Sequence, residues 1–365
     1  MNKKFSLYLD FLRGVLAILV FCGHLFSTEL NNTFIGKINL GFDCVIFFFV
    51  LSGYVISYST ENINHTISDY FISRAARILP PAILSIAVSY FIFKNITLNN
   101  PNNAYVNIQY AQHYGFTIIT SLLFLNTAWW LNIAPFGNGP YWSLSIEVWC
   151  YLIYSIIFYV KKTTIRYGLI ILILICYGPK LILLFPSWYM GSLAYRLKAR
   201  IKIRRTHAFI LLLSTLSMYI FLDFFFPRNW SYQVAGQPLE TILGHGLDGG
   251  ANFLWGWIAA ILFSLHIYAA NLFFSEGNLT SDHKIIKAFS AISYSIYIFH
   301  YPLYNFMLSL TKEPTLGIKT IVFIGTILIC YILSFATERP KKIYKKWITF
   351  FVEILKKIRN KPILN

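Results

Sequence analysis

Apolar runs of bilayer length recur down the whole chain, and no other feature constrains the fold as much. A transmembrane helix needs about 20 mostly apolar residues to cross a hydrocarbon core of roughly 30 Å. Ten segments meet or approach that length: about 8–28, 40–60, 80–97, 141–160, 167–185, 186–198, 207–226, 252–273, 287–308 and 317–337. The sixth is the shortest. The stretch 116–131 is apolar too but falls short, and it reads as a re-entrant or interfacial helix. Lipid offers no hydrogen bonds, so spanning segments must satisfy their own backbone. The fold class expected is therefore all-α: a polytopic membrane protein with about ten transmembrane helices plus the shorter one. Composition agrees. The 365 residues are 57% hydrophobic and 12% charged, whereas soluble domains carry about 25% charge.

The net charge of +17 would suggest nucleic acid in a soluble protein, but its distribution points elsewhere. With the N-terminus in the cytoplasm, all but six of the 31 lysines and arginines fall in cytoplasmic segments. The six are Lys37, Lys94, Lys180, Arg228, Lys312 and Lys319. Cytoplasmic clusters then lie at 161–166, from Arg196 to Arg205, and from Arg339 to Lys361. This is the positive-inside pattern. Treating 116–131 as an eleventh span would put the first two clusters outside, which argues against it. Both termini are thus expected in the cytoplasm, and no nucleic-acid partner is expected. Met1–Lys4 lead straight into the first span, without the small-residue cleavage site of a signal peptide. Residues 1–340 read as one integral-membrane domain. Residues 341–365 read as a basic amphipathic tail on the inner leaflet, with apolar residues at helical spacing and lysines opposite. The five cysteines, Cys22, Cys44, Cys150, Cys176 and Cys330, show no metal-ligand spacing.

Ionisable residues inside spans point to function, because burying charge in lipid is costly. The first span holds Asp10, Arg13 and His24. His24 follows Arg13 by eleven positions, so on a helix they lie about 20° apart around the axis and roughly 16 Å apart along it. They share a face. Cys22, about 200° from His24, does not pair with it. Asp43 opens the second span, and Ser52-Gly53 lie deeper in it, where small residues also serve close helix packing. Arg74 and Arg77 share a face just before Pro80-Pro81, a pair that suits a helix start or break. The two arginines fit positive-inside charge or a clamp for phosphate oxygens. Glu147 sits within an otherwise apolar span and suits orienting a histidine, binding hydroxyls or acting as a base. His300 reads as a satisfied core histidine. Walker loops, dinucleotide fingerprints and metal clusters are not evident.

Taken together, Arg13 and His24 with ten residues between them, FFVLSG at 48–53, RAAR at 74–77, WSLSIE at 142–147 and SYSIYIFHYP at 293–302 resemble acyltransferase family 3. These are bacterial integral-membrane enzymes, and the resemblance runs over nearly the whole chain. It implies O-acylation in the cytoplasmic membrane. The donor is cytoplasmic acyl-CoA, acetyl-CoA being typical, used as a substrate and not as a permanently bound cofactor. The acceptor is a hydroxyl of a surface glycan or its lipid-linked precursor. Some members carry an extracytoplasmic hydrolase-like domain; with only a basic tail after the last span, none is expected here. The resemblance implies donor phosphates near Arg13, Arg74 and Arg77, with the pantetheine arm along the first helix. His24 would serve as general base or transient acyl carrier. Glu147 and Asp43 would tune or orient it, or hold the acceptor. Ser52 would lie near the thioester oxygen. No metal is implied, and the oligomeric state is left open. The other function class that fits the buried polar residues is a transporter or flippase of a glycan lipid.

Overall fold

The computed structural model describes residues 2–30, 40–62, 66–99, 113–201, 203–226, 229–275 and 283–359. Among them the chain is helical without strands. Seven helices are long and apolar enough to cross a membrane. They are α1 (Lys3–Leu25), α3 (Leu40–Asn62), α4 (Ile67–Asn99), α6 (Tyr141–Tyr159), α9 (Arg205–Phe225), α11 (Phe253–Phe273) and α14 (Leu316–Ser334). The 15-residue α7 (Thr163–Tyr177), the 22-residue α8 (Pro179–Arg200) and the 17-residue α13 (Ser293–Ser309) occupy the remaining expected spans. Short helices α2 (Ser27–Leu30), α5 (Tyr114–Leu122), α10 (Gln237–Leu243) and α12 (Lys284–Ser290) lie between them, and α15 (Lys341–Arg359) follows. The protein is an all-α, multi-pass membrane protein. Lys37, Lys202, Arg228 and Lys361, sorted by charge above, lie outside the described residues.

Three boundaries differ from the sequence expectation. The break expected at 185/186 falls at Gly178, and Pro186 lies inside α8. Gly178 has φ +97°, and a Cβ there would come within 2.9 Å of the Trp129 ring. A left-handed glycine followed by proline at the first helical position is a stop-and-restart signal. The prolines at 80 and 81 do not break or start a helix; α4 runs through them for 33 residues. Membrane helices tolerate proline because neighbouring groups re-satisfy the freed carbonyls. The 287–308 segment is divided at Ala291-Ile292 into α12 and α13.

The 116–131 segment does not span. The nine-residue α5 gives way to irregular backbone with positive φ at Phe124, Trp129 and Phe136. That backbone is buried against protein: Trp149 Nε1 donates to the Phe124 carbonyl at 2.9 Å, and Trp129 N donates to the Tyr177 carbonyl at 2.8 Å. Non-helical chain survives at membrane depth only when protein satisfies it in this way.

Helix α3 forms the centre of the bundle, packed on α8, α1 and α11. Gly53 on α3 and Gly191 on α8 bring two backbones together: a Cβ at Gly53 would meet the Trp188 carbonyl, and one at Gly191 the Val50 carbonyl. Peripheral α9 and α14 keep most of their apolar side chains facing outward. The far side of α3 carries Asp43, which is buried. Its carboxylate accepts from Tyr219 Oη on α9 at 2.6 Å and Trp255 Nε1 on α11 at 2.9 Å. Two lysines assigned to the outside by the charge pattern are buried and paired. Lys180 bonds Asp248 at 2.7 Å, and Lys319 bonds Glu29 at 2.8 Å.

Candidate active site

The site is built where α1, α3, α4, α6 and α13 face one another. Five of the seven residues singled out in the sequence line one cavity: Arg13, Ser52, Arg74, Arg77 and Glu147. The cavity is narrow, about 80 Å³, and runs along α3 from Val45 to Ile56. At 1.5 Å per residue that is roughly 16 Å of helix.

Helix periodicity places the polar groups. Glu147 and Tyr151 are four apart on α6, hence one above the other. Glu147 Oε1 accepts from Tyr151 Oη at 2.5 Å and, across the cavity, from Ser52 Oγ at 2.7 Å. Ser52 Oγ and Tyr151 Oη are themselves 3.0 Å apart. Arg74 and Arg77, one turn apart on α4, face this group. Among the described residues, Arg74 Nη2 reaches only the neighbouring Ser73 hydroxyl, and its Nε is buried without a partner. Arg77 makes no hydrogen bond or ion pair among the described residues. Arg13 meets Asp10 one turn earlier, at 3.7 Å.

A second, outer cavity of about 280 Å³ adjoins the first. Arg13, Arg77 and Tyr294 line both. Its wall adds Asp10, Lys287, Glu338, Arg339 and Lys341, so six cationic side chains confront three carboxylates across the two chambers. Glu338 is anchored by the Ser295 amide at 2.7 Å, and burial raises its pKa. Tyr294 Oη, at the junction, is buried and unpartnered. Donors concentrated in a constricted site suit anionic oxygens.

Lys341 belongs to α15, which packs on α4, so the basic tail contributes to this chamber. Its ammonium is pushed down to about 8, by desolvation first and then by the positive charges of Arg77, Arg74 and Arg13. The protonated form is the one disfavoured, so Lys341 is charged below about pH 8 and loses its charge as pH rises through that value. Anion binding in the chamber is therefore expected to weaken across that window. Titration calorimetry with a nucleotide thioester in wild type and Lys341→Gln checks this. A wild-type pH dependence that persists unchanged in the variant rules Lys341 out as its source.

His24 lines neither cavity. It lies at the end of α1 and is half-buried. Its ring stacks on His300 (centroids 5.4 Å, 28°) and meets Tyr301 edge-on (5.3 Å, 88°). The inner cavity stops one helical turn short of His300, at Tyr297 on α13. Tyr297 Oη is bound by Ser143 Oγ at 2.5 Å and donates to the Pro140 carbonyl at 3.2 Å, while its ring sits against Phe48. Neither carboxylate expected beside His24 is hydrogen-bonded to it. Glu147 stands among the arginines, and Asp43 joins α3 to α9 and α11.

Tyr151, Tyr294 and Tyr297 were not singled out from the sequence. Tyr151 was legible as the i+4 neighbour of Glu147. Tyr294, Tyr297 and His300 repeat every three residues on one face of α13, within a motif whose aromatic run hid the pattern. His300 is buried as expected but only partly satisfied. Its Nδ1 donates to the Ile296 and Tyr297 carbonyls, both at 2.9 Å, and its Nε2 has no partner.

Metal-capable groups of three or more His, Cys, Asp or Glu side chains are absent among the described residues. No curated protein and no solved structure matches the chain. The family model described as an acyltransferase domain, that of acyltransferase family 3, matches residues 6–335. With that model spanning nearly the whole sequence, the chain belongs to acyltransferase family 3 and is a membrane acyltransferase.

Proposed function

We propose that the protein transfers an acetyl group from cytoplasmic acetyl-CoA to a hydroxyl of a bacterial envelope polysaccharide or its lipid-linked precursor. The observation that carries this reading is the pair of adjoining cavities that share Arg13, Arg77 and Tyr294 and are lined by six cationic side chains. The outer chamber receives the donor's phosphates at Arg13, Arg77, Arg339 and Lys341. Arg74 and Arg77 then grip what passes the Tyr294 junction. A narrow inner cavity suits a linear pantetheine arm bearing a small acyl group better than a bulky one. Its polar patch, Ser52 with Glu147 and Tyr151, offers hydroxyls to the arm or to the thioester oxygen. The thioester reaches His24 past Tyr297.

His24 removes the proton from the acceptor hydroxyl as its oxygen attacks the thioester carbonyl. The new C–O ester bond forms, the C–S bond breaks, and the proton passes to the departing thiolate. Glu147 holds Ser52 and offsets the arginines' charge, and Asp43 keeps α3 in register with α9 and α11. In this reading the Arg13 end of the bundle faces the cytoplasm of a bacterial inner membrane, with both termini on that side.

The test uses the full-length protein in proteoliposomes with acetyl-CoA and envelope glycan. Thiol release that requires the glycan, with an added acetyl mass on it by mass spectrometry, is the expected result. Glycan-lipid movement across the vesicle without thiol release would instead establish the transporter reading.

A further inference from the structure

Away from the two adjoining cavities, a further cavity of about 400 Å³ lies between α1, α9, α11 and α12. Its apolar wall is Leu7, Tyr8 and Phe11 from α1, Phe273 and Phe274 at the end of α11, and Ile286 from α12. Positions 4, 7, 8 and 11 follow helical spacing, so Lys4 stands on the same face of α1, about 10 Å along the axis from Phe11. Lys4 and Arg205 are the only charged side chains in the wall among the described residues. Lys4 is in the first turn of α1, and Arg205 is the first residue of α9. Both cations thus sit at the end of the bundle, where a bilayer carries its headgroups, with Leu7, Tyr8 and Phe11 one to two turns deeper. Phe11 is 44% exposed and Arg205 is exposed, so the cavity opens on the outer surface of the bundle. The floor is already hydrogen-bonded. Tyr8 Oη is 2.5 Å from His266 Nε2, and His266 Nδ1 is 3.2 Å from Thr215 Oγ1. Arg205 makes no described hydrogen bond or ion pair; its guanidinium lies over the Phe273 ring at 5.0 Å, which holds it at the rim. The polar chemistry left to the cavity is therefore two cations above an apolar wall.

We propose that this cavity binds one anionic phospholipid, its phosphate held by Lys4 and Arg205 and the upper part of an acyl chain laid along Leu7, Phe11 and Phe274. Charge selects the headgroup. A zwitterionic lipid would bring an ammonium against two cations, and no carboxylate lines the cavity among the described residues to receive it. An anionic lipid meets only opposite charge, the usual basis of headgroup capture between membrane helices. The lipid ties α1, which carries Arg13 and His24, to α9 and α11. It completes from the membrane side the junction that Tyr8, His266 and Thr215 make inside. This inference does not depend on the acyl-transfer reading.

The experiment titrates the full-length protein in neutral detergent with phosphatidylglycerol or phosphatidylethanolamine. It reads bound lipid by native mass spectrometry, and melting temperature alongside. Phosphatidylglycerol is expected to stay bound as one tight adduct and to raise the melting temperature; phosphatidylethanolamine is expected to do neither. Lys4→Gln/Arg205→Gln should weaken phosphatidylglycerol about 30-fold, the equivalent of about 1 kcal/mol for each basic side chain removed. Leu7→Trp, which fills the apolar part and keeps both charges, should also lose the adduct. Lys342→Gln/Lys346→Gln removes two exposed charges from α15 instead and should retain it. Equal binding by wild type and Lys4→Gln/Arg205→Gln overturns the proposal. So does an equal loss in the α15 variant, which would reduce the effect to diffuse attraction for a chain of net charge +17. Displacement of the lipid by acetyl-CoA also overturns it, by making the cavity a second site for the donor.

Discussion

Changing His24 to alanine is expected to lower acetyl transfer by about 10²–10⁴-fold, the range over which a positioned general base contributes. The donor KM should stay within about two-fold, because an interaction made only in the transition state lowers kcat and kcat/KM together. The site's geometry makes this split sharp. His24 lines neither basic chamber, so its loss removes no contact from the donor's phosphates. It is half-buried near the end of α1 and carries no described hydrogen bond, so the helix forms without it. Single-turnover chemistry and equilibrium donor binding, measured on the same membranes, check both halves. Full transfer by His24→Ala at wild-type abundance would remove it from the mechanism.

The cavity was legible in the sequence because it is built from helical arithmetic. Arg74 and Arg77 share a face at a spacing of three, and Glu147 had to be inward because lipid excludes it. The structure accordingly gathers Arg13, Ser52, Arg74, Arg77 and Glu147 around one space. Arg13 and His24 sharing a face was also legible, but what that face meets was not. Which neighbour a span presents is a tertiary fact. Nothing in GFDCV says that Asp43 turns towards Tyr219 and Trp255, more than 170 residues away in sequence. His300 illustrates a subtler gap. A histidine in an aromatic run looks like core, and it is core; only the bonding of each ring nitrogen separates a satisfied imidazole from one with a lone pair left over. The break at Gly178, by contrast, was written locally. The Gly-Pro pair carries both the stop and the restart, but hydropathy alone favoured Pro186.

Replacing Arg77 by glutamine is expected to raise the KM for acetyl-CoA by about 10–100-fold, since a hydrogen bond to a charged group contributes roughly 1.5–3 kcal/mol. The effect on kcat should be smaller. Arg77 lines both chambers, so a donor threading from one to the other passes it whichever part is in the constriction. In the free protein it makes no described hydrogen bond, and its charge is balanced at a distance by Glu147 and Glu338 in the same walls. Attraction to Glu147 and Glu338 opposes the repulsion from Arg13, Arg74 and Lys341, so the melting temperature without donor should change little. Donor should also protect the variant less against heating than it protects wild type, because stabilisation by a ligand scales with its affinity. Arg77→Lys is expected to recover only part of the loss, since a point charge replaces a planar fork. An unchanged donor KM in Arg77→Gln would show that the phosphates bypass the constriction and would move the donor path elsewhere in the bundle. A raised KM with an intact fold would mean that the chain holds this arginine for its ligand and not for the packing of the bundle.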